Sequence, residues 1–111
     1  MSNENLGLLA EYLVLIIYKL KFYRVIHHRM RNYAGEIDLI VQRGKQLVFI
    51  EVKARTSDFD TKFISFDQRQ RIKNAAQIFL VSNNKYSNLD VRFDLVIVKP
   101  FRIPEIIKNA W

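Results

Sequence analysis

Apolar residues recur at helical steps along the first twenty positions. Leu6, Leu9, Leu13, Ile16 and Leu20 fall on one face, and Leu8, Tyr12, Leu15 and Tyr18 on a second. A helix with two apolar faces predicts cover on more than one side, a sheet on one and a second subunit on the other. Glu11 interrupts the run, which is shorter than a membrane span. The start carries an acid and no base, and no small-residue cleavage site follows, so the segment reads as a buried helix, with no membrane role expected.

Farther on, the period changes from helix to strand. YRVIHH, residues 23–28, alternates as a short strand, and RMRNYAG reads as a basic loop closed by glycine. GEIDLIVQ and QLVFIEVKA are two strands joined at Gly44-Lys45, the Gly-X pattern of a two-residue type II′ turn that pairs Arg43 with Gln46. Residues 57–62, which include Asp58 and Asp60, look irregular and mobile. Ser65, with Gln68 three residues on, makes a capping box for a second helix. Ile72, Ala75, Ala76, Phe79 and Leu80 form that helix's core stripe. VRFDLVIV, residues 91–98, is a last strand, in which Asp94 beside Arg92 reads as structural. Pro100 and Pro104 frame a tail whose PEIIKNAW predicts a terminal turn of helix. The order is α-β-β-β-α-β: an α/β fold, a small mixed sheet with flanking helices.

Length makes this one domain, with its core over about residues 4–98 and residues 99–111 as a C-terminal tail. Charge then narrows the partner. Eighteen Lys and Arg against eleven Asp and Glu give net +7 and a pI near 9.9, which suits a polyanion, either nucleic acid or an anionic membrane surface. The chain has no Cys, which excludes a disulfide framework, a thiolate metal site and a Cys nucleophile, and a reducing cytoplasm fits.

Candidate chemistry sits in the hairpin. Counting back from Gly44-Lys45 sets Asp38 opposite Glu51 and Glu36 opposite Lys53 on one face, with Ile37, Leu39, Val41, Val48, Ile50 and Val52 on the other. Opposed side chains there stand about 5 Å apart, and like charges at that separation destabilise a strand pair. Two such carboxylates share a proton or hold a cation. An all-oxygen pair suits a hard ion such as Mg²⁺, and Lys53, roughly 6.6 Å along the strand from Glu51, can orient a water or balance a phosphorane. That combination describes phosphodiester hydrolysis. Glu36 with Lys53 taken alone would be an ordinary cross-strand ion pair.

Asp38 followed by Glu51-Val52-Lys53 resembles the PD-(D/E)xK nuclease signature. GEIDLI and VFIEVKAR resemble, more narrowly, the signature segments of the YraN-like family of bacterial endonuclease-like proteins, related in fold to archaeal Holliday junction resolvases. AEYLVLIIYKLKFYRVI, RQRIKNAAQIFL and VRFDLVIV extend the likeness over roughly residues 10 to 98. The resemblance implies a restriction-endonuclease-like core and an Mg²⁺- or Mn²⁺-dependent nuclease site built from Glu11, Asp38, Glu51 and Lys53, with the Val52 carbonyl as a further ligand. It also implies branched or structured DNA as the substrate and a homodimer. Ala10 and Phe22 stand where the family usually carries Gly, and Gln68 where it often carries Lys.

Other residues divide between site and surface. Glu11 by pattern alone is an exposed acid off the Leu6-Leu13-Leu20 stripe. Gln68 is either a capping residue or an auxiliary group at the site, and Glu36 is likewise auxiliary. His28, Arg29 and Arg31 before the hairpin, with Arg69, Arg71 and Lys73 on the second helix, are candidate nucleic-acid contacts. Tyr33 reads as a surface residue able to stack on a base. His27 and His28 point to opposite faces of a strand, which disfavours a joint metal site. The expected function is a divalent-metal endonuclease. The competing expectation is a noncatalytic nucleic-acid-binding module with a vestigial or structural metal site, and a weaker one is a protein-interaction subunit using the apolar helix.

Overall fold

The structure, a computed structural model, describes residues 3–55 and 64–111, with side chains from residue 5 onward; Asp58 and Asp60 lie outside the described residues. Helix α1 (Asn3–Leu20) precedes strands β1 (Arg24–Asn32), β2 (Gly35–Arg43) and β3 (Gln46–Ala54). Helix α2 (Phe66–Ser82) and a 3-10 turn (Asn84–Tyr86) lead to β4 (Asp90–Val98) and β5 (Glu105–Ile107). The five strands lie side by side in chain order, all neighbours antiparallel except β3 and β4. Those two run parallel because α2 carries the chain back between them. The expected mixed α/β sheet with flanking helices is therefore what forms.

Each sheet face has its own core. On one, Val14 and Tyr18 of α1 pack on Leu39, Val41, Val48, Ile50 and Val96. On the other, Ile72, Ala75, Ala76 and Phe79 of α2 pack on Met30, Ile40, Leu47 and Phe49. Ser65 caps α2 by accepting from the Gln68 amide at 3.1 Å, as the capping pattern predicts. No helix among the described residues is long and apolar enough to cross a membrane.

Three local expectations are corrected. Residues 29–32, expected in a loop, continue β1 to Asn32↔Gly35, because β2 offers backbone partners along that whole length. Only Tyr33 and Ala34 turn, with Asn32 Oδ1 accepting from the Ala34 amide at 3.0 Å. The tail, expected as a turn of helix, is strand β5 instead: its Leu95↔Ile107, Val96↔Ile106 and Ile97↔Glu105 pairs cover the free edge of β4. The third concerns the rotation of α1. Its buried residues are Ala10, Glu11, Val14 and Tyr18, whereas Leu6, Leu9, Leu13, Ile16 and Leu20 face outward.

Asp94 gives the physical reason for that rotation. It is fully buried in β4, and it accepts from Arg92 Nε at 2.8 Å, Arg92 Nη2 at 2.9 Å, Tyr18 Oη at 2.8 Å and the Asn109 amide at 3.1 Å. A buried carboxylate without such donors is costly, so Tyr18 must face the sheet and the aliphatic stripe turns out. Burial and the neighbouring Asp94 charge in turn keep the Tyr18 phenol protonated well above its usual range.

At its C-terminus α1 closes with the Tyr23 amide on the Tyr18 carbonyl and the Phe22 amide on the Lys19 carbonyl, both at 3.0 Å. This is a Schellman closure whose left-handed position, normally glycine, holds Phe22 at φ 70°. A phenylalanine there costs about 1–2 kcal/mol.

Replacing Asp94 with Ala leaves Arg92 and Tyr18 without their acceptor, and the expected cost is about 3–5 kcal/mol in urea unfolding. A cost under about 1 kcal/mol would show that the network does not hold α1 to the sheet.

Candidate active site

The site begins with a change of side-chain parity in two paired strands, whose register holds through it from His28↔Leu39 to Met30↔Ile37, the register shift of β1 lying earlier, between Val25 and His27. In β1, His27 meets Phe79 on the α2 side, His28 meets Tyr12 on the α1 side, and Met30 returns to the α2-side core. Arg29, at φ 59°, absorbs the extra step. In β2, Leu39 and Val41 pack on the α1 side, but Ile37 packs with Met30 on the α2 side. Strict alternation had grouped Ile37 with Leu39, so this position is corrected, and Asp38 is where the parity changes.

That change aims Asp38 sideways at β3. The hairpin keeps its predicted register from Arg43↔Gln46 to Leu39↔Ile50, with Gly44 at φ 59° in the turn. Beyond Ile50 the ladder gives way, and Asp38 Oδ2 accepts from the Val52 amide at 2.7 Å. The carboxylate thus takes the place of a backbone acceptor in the ladder. Glu36, expected opposite Lys53, is instead held by Arg31 Nε at 3.2 Å and Arg29 Nε at 3.7 Å. Its strand neighbour is Arg31, and that cation is nearer than any on β3.

Asp38 and Glu51 still meet. Alternation along β3 turns Glu51 toward α2, where Gln68 Nε2 donates to Glu51 Oε2 at 2.8 Å. Gln68 serves the cap through its amide and the site through its side chain. Burial pushes the Glu51 carboxyl up to about 9, helped by a hydrogen bond with Asp38 and by its like charge, against the opposing pull of Lys53 and Gln68. The Glu51 carboxyl thereby favours its protonated form at neutral pH.

Glu11 closes the arrangement from α1. It is buried rather than exposed, because the rotation that satisfies Asp94 also turns it inward. His28 Nε2 lies 3.0 Å and Arg29 Nε 3.6 Å from Glu11 Oε1. Burial and then the Asp38 charge raise its pKa, while His28 and Arg29 oppose the rise. His28 is thereby a partner of Glu11. Residue patterns gave no sign of this contact.

An open cleft of about 400 Å³ is lined by Asp38, Glu51 and Gln68 together with Arg29, Glu36 and Arg71, whereas Glu11, His28 and Lys53 are not among its lining residues. Arg29 and Arg71 supply its positive wall. Arg31 lies at the rim through Glu36, while Arg69 and Lys73 are not among the lining residues. Tyr33 is fully open to solvent at the β1–β2 turn. Among the described residues no three His, Asp or Glu side chains converge as a ligand set. Asp38 and Glu51 alone fit a hard cation, which commonly takes one or two carboxylates and fills its shell with water and phosphate oxygens.

Residues 10–98 match the family described as Uncharacterised protein family UPF0102, a span that includes Glu11, Asp38, Glu51 and Lys53. A UPF0102 protein of Parvibaculum lavamentivorans is 41% identical over 112 residues, covering 100% of this chain and 84% of its own. One of Maricaulis maris is 43% identical over 109 residues (97% and 86%), and one of Ehrlichia ruminantium 39% over 112 residues (100% and 87%).

The Glu51 carboxyl makes folding pH-dependent. Its folded pKa lies above the unfolded value near 4.5, so its contribution is complete below that value and is lost as pH rises toward 9. Denaturant unfolding in chelator is expected to show stability falling from pH 5 to pH 9, with Glu51→Gln flattening the fall. An unchanged slope in the variant would contradict the raised Glu51 carboxyl.

Proposed function

The chain belongs to UPF0102, the YraN-like family, and from the site it carries we propose that it is a divalent-cation-dependent endonuclease hydrolysing phosphodiester bonds of DNA. One observation carries the proposal. Half-buried Asp38 and buried Glu51, two like charges, stand together on the lining of a cleft that Arg29 and Arg71 also line. A scaffold gains nothing from such a pair unless a cation replaces the Glu51 proton.

Mg²⁺ or Mn²⁺ bound there supplies the positive charge that polarises water and the phosphate at neutral pH. The chain's own residues do the rest. Asp38 is fixed by the Val52 amide and Glu51 by Gln68, so both ligands are oriented before substrate arrives. The Val52 carbonyl is a further candidate ligand. Lys53 stabilises charge developing on the phosphate or orients the attacking water. Arg29 and Arg71 hold flanking phosphates, with Arg31, Arg69 and Lys73 adding to the field around them. Glu11, with its His28 partner, tunes the charge around Asp38. Structured or branched DNA is the substrate the family resemblance suggests, and the cysteine-free chain suits a reducing cytoplasm.

A second reading has its own observation. Glu11 is tied to His28 and Arg29 and no three acids converge, which suits a nucleic-acid-binding module whose acid pair is vestigial or holds a structural ion.

Incubating linear, single-stranded, flapped and four-way-junction DNA with Mg²⁺ or Mn²⁺ separates the two. Cleavage is expected, with Asp38→Ala and Lys53→Ala each losing about 10²–10³-fold while salt-dependent binding persists. Binding without cleavage of any substrate would establish the module instead. Cleavage surviving both substitutions would remove the site. Calorimetry in buffers of different ionisation enthalpy should detect release of about one proton as the cation binds at pH 7, because Glu51 must ionise to receive it. No proton release would mean that the cation does not bind at this acid pair.

A further inference from the structure

The outward face of α1 is apolar along its described length. Leu6, Leu9, Tyr12, Leu13, Ile16 and Leu20 are 39–75% exposed, and Phe22 continues the face at 87%. Among the exposed residues of α1 with described side chains, Lys19 is the sole charge. Leu6, Leu9 and Leu13 also wall a groove of about 340 Å³, whose other side carries Ala54, Val98 and Pro100 together with Arg55 and Lys99.

The spacing of this stripe is informative. Leu6, Leu9, Leu13, Ile16 and Leu20 advance by three, four, three and four residues, the heptad seam by which one helix packs along another. A helix meeting only a sheet has no use for that seam, and its sheet-facing side here is a different set, Ala10, Val14 and Tyr18. Within the chain the other long helix cannot supply the partner, because α2 lies on the opposite sheet face.

We propose that this face is the interface of a homodimer in which the α1 seams of two copies pack on each other. The extent agrees: seven large apolar side chains stand 39–87% exposed along α1 and its end, more than the scattered single residues of an ordinary monomer surface and of the kind a stable interface of roughly 800 Å² per partner buries. Along α1 itself the stripe carries few charges, so two copies at net +7 each would meet there with less repulsion than elsewhere, with Lys19, Lys21, Arg55 and Lys99 at its margins. Phe22 supports the same reading, since a bulky side chain is kept exposed and strained where glycine would be relaxed. The proposal does not depend on the nuclease reading.

Light scattering on the full chain, eluted from a sizing column at ~1–100 µM, is expected to give twice the 13.2 kDa of one chain. Leu13→Glu and Ile16→Glu are expected to give the single-chain mass with an unchanged circular-dichroism spectrum. Leu13→Ala and Phe22→Gly, milder changes at exposed positions, are expected to weaken association at least ~10-fold. A wild-type chain of single mass at the highest concentration overturns the proposal. So does a doubled mass that survives both glutamate substitutions. A monomeric wild type that co-sediments with phosphatidylglycerol–phosphatidylcholine vesicles overturns it in favour of a membrane-facing helix.

Discussion

Asp94 cannot lie in the sheet interior without donors, and the fold is arranged around supplying them. Arg92 comes from the same strand, Tyr18 from α1 and the Asn109 amide from beyond β5. One carboxylate thus joins the first helix, the fourth strand and the tail. The consequence for α1 is rotational. With Tyr18 fixed inward, Val14 and Glu11, one and two turns earlier, must also face the sheet. The rotation that buries a tyrosine therefore delivers an acid to the site and turns a leucine seam to the outside.

The site itself depends on a second constraint, the parity slip at Arg29 and Asp38. Without it Asp38 would stand in regular alternation with Ile40. With it, the carboxylate turns into the plane of the sheet and takes the Val52 amide. The ladder loses a backbone bond there, and a charge-assisted one replaces it. Arg29 uses its left-handed backbone to stand between Glu11 and Glu36. Cations and acids alternate around the cleft, so the acids remain tolerable near one another before any ion arrives.

Much of this was legible from residue order. The Gly44-Lys45 turn set the register correctly as far as Leu39↔Ile50, because turn chemistry and alternation obey short-range rules. Ser65 identified the start of α2 for the same reason. The slip was not legible, because a non-glycine residue such as Arg29 in a left-handed conformation leaves no mark in the sequence. Neither was the inward face of α1, where two apolar stripes compete and the winner is chosen by a tyrosine hydroxyl and a carboxylate seventy-six residues away. Pro104 and the short tail resembled a terminal helix turn until the open edge of β4 gave them backbone partners. Periodicity measures apolar faces, whereas these choices were made by polar groups that had to be satisfied.

The raised carboxyls bear on what the cleft is for. Glu51 is pushed up first by burial and then by Asp38, and Glu11 is raised by burial and the same neighbour. A protein selected only for stability would replace one acid with its amide and remove the repulsion. On the reading proposed above, keeping both leaves a position where a cation could replace the proton, with Lys53 and Gln68 opposing the rise of the Glu51 carboxyl. Gln68 donates to the carboxylate oxygen, which favours the charged form that a metal requires over the neutral one. The net shift is upward, so burial and Asp38 outweigh Lys53 and Gln68, and Glu51 favours its protonated form at neutral pH.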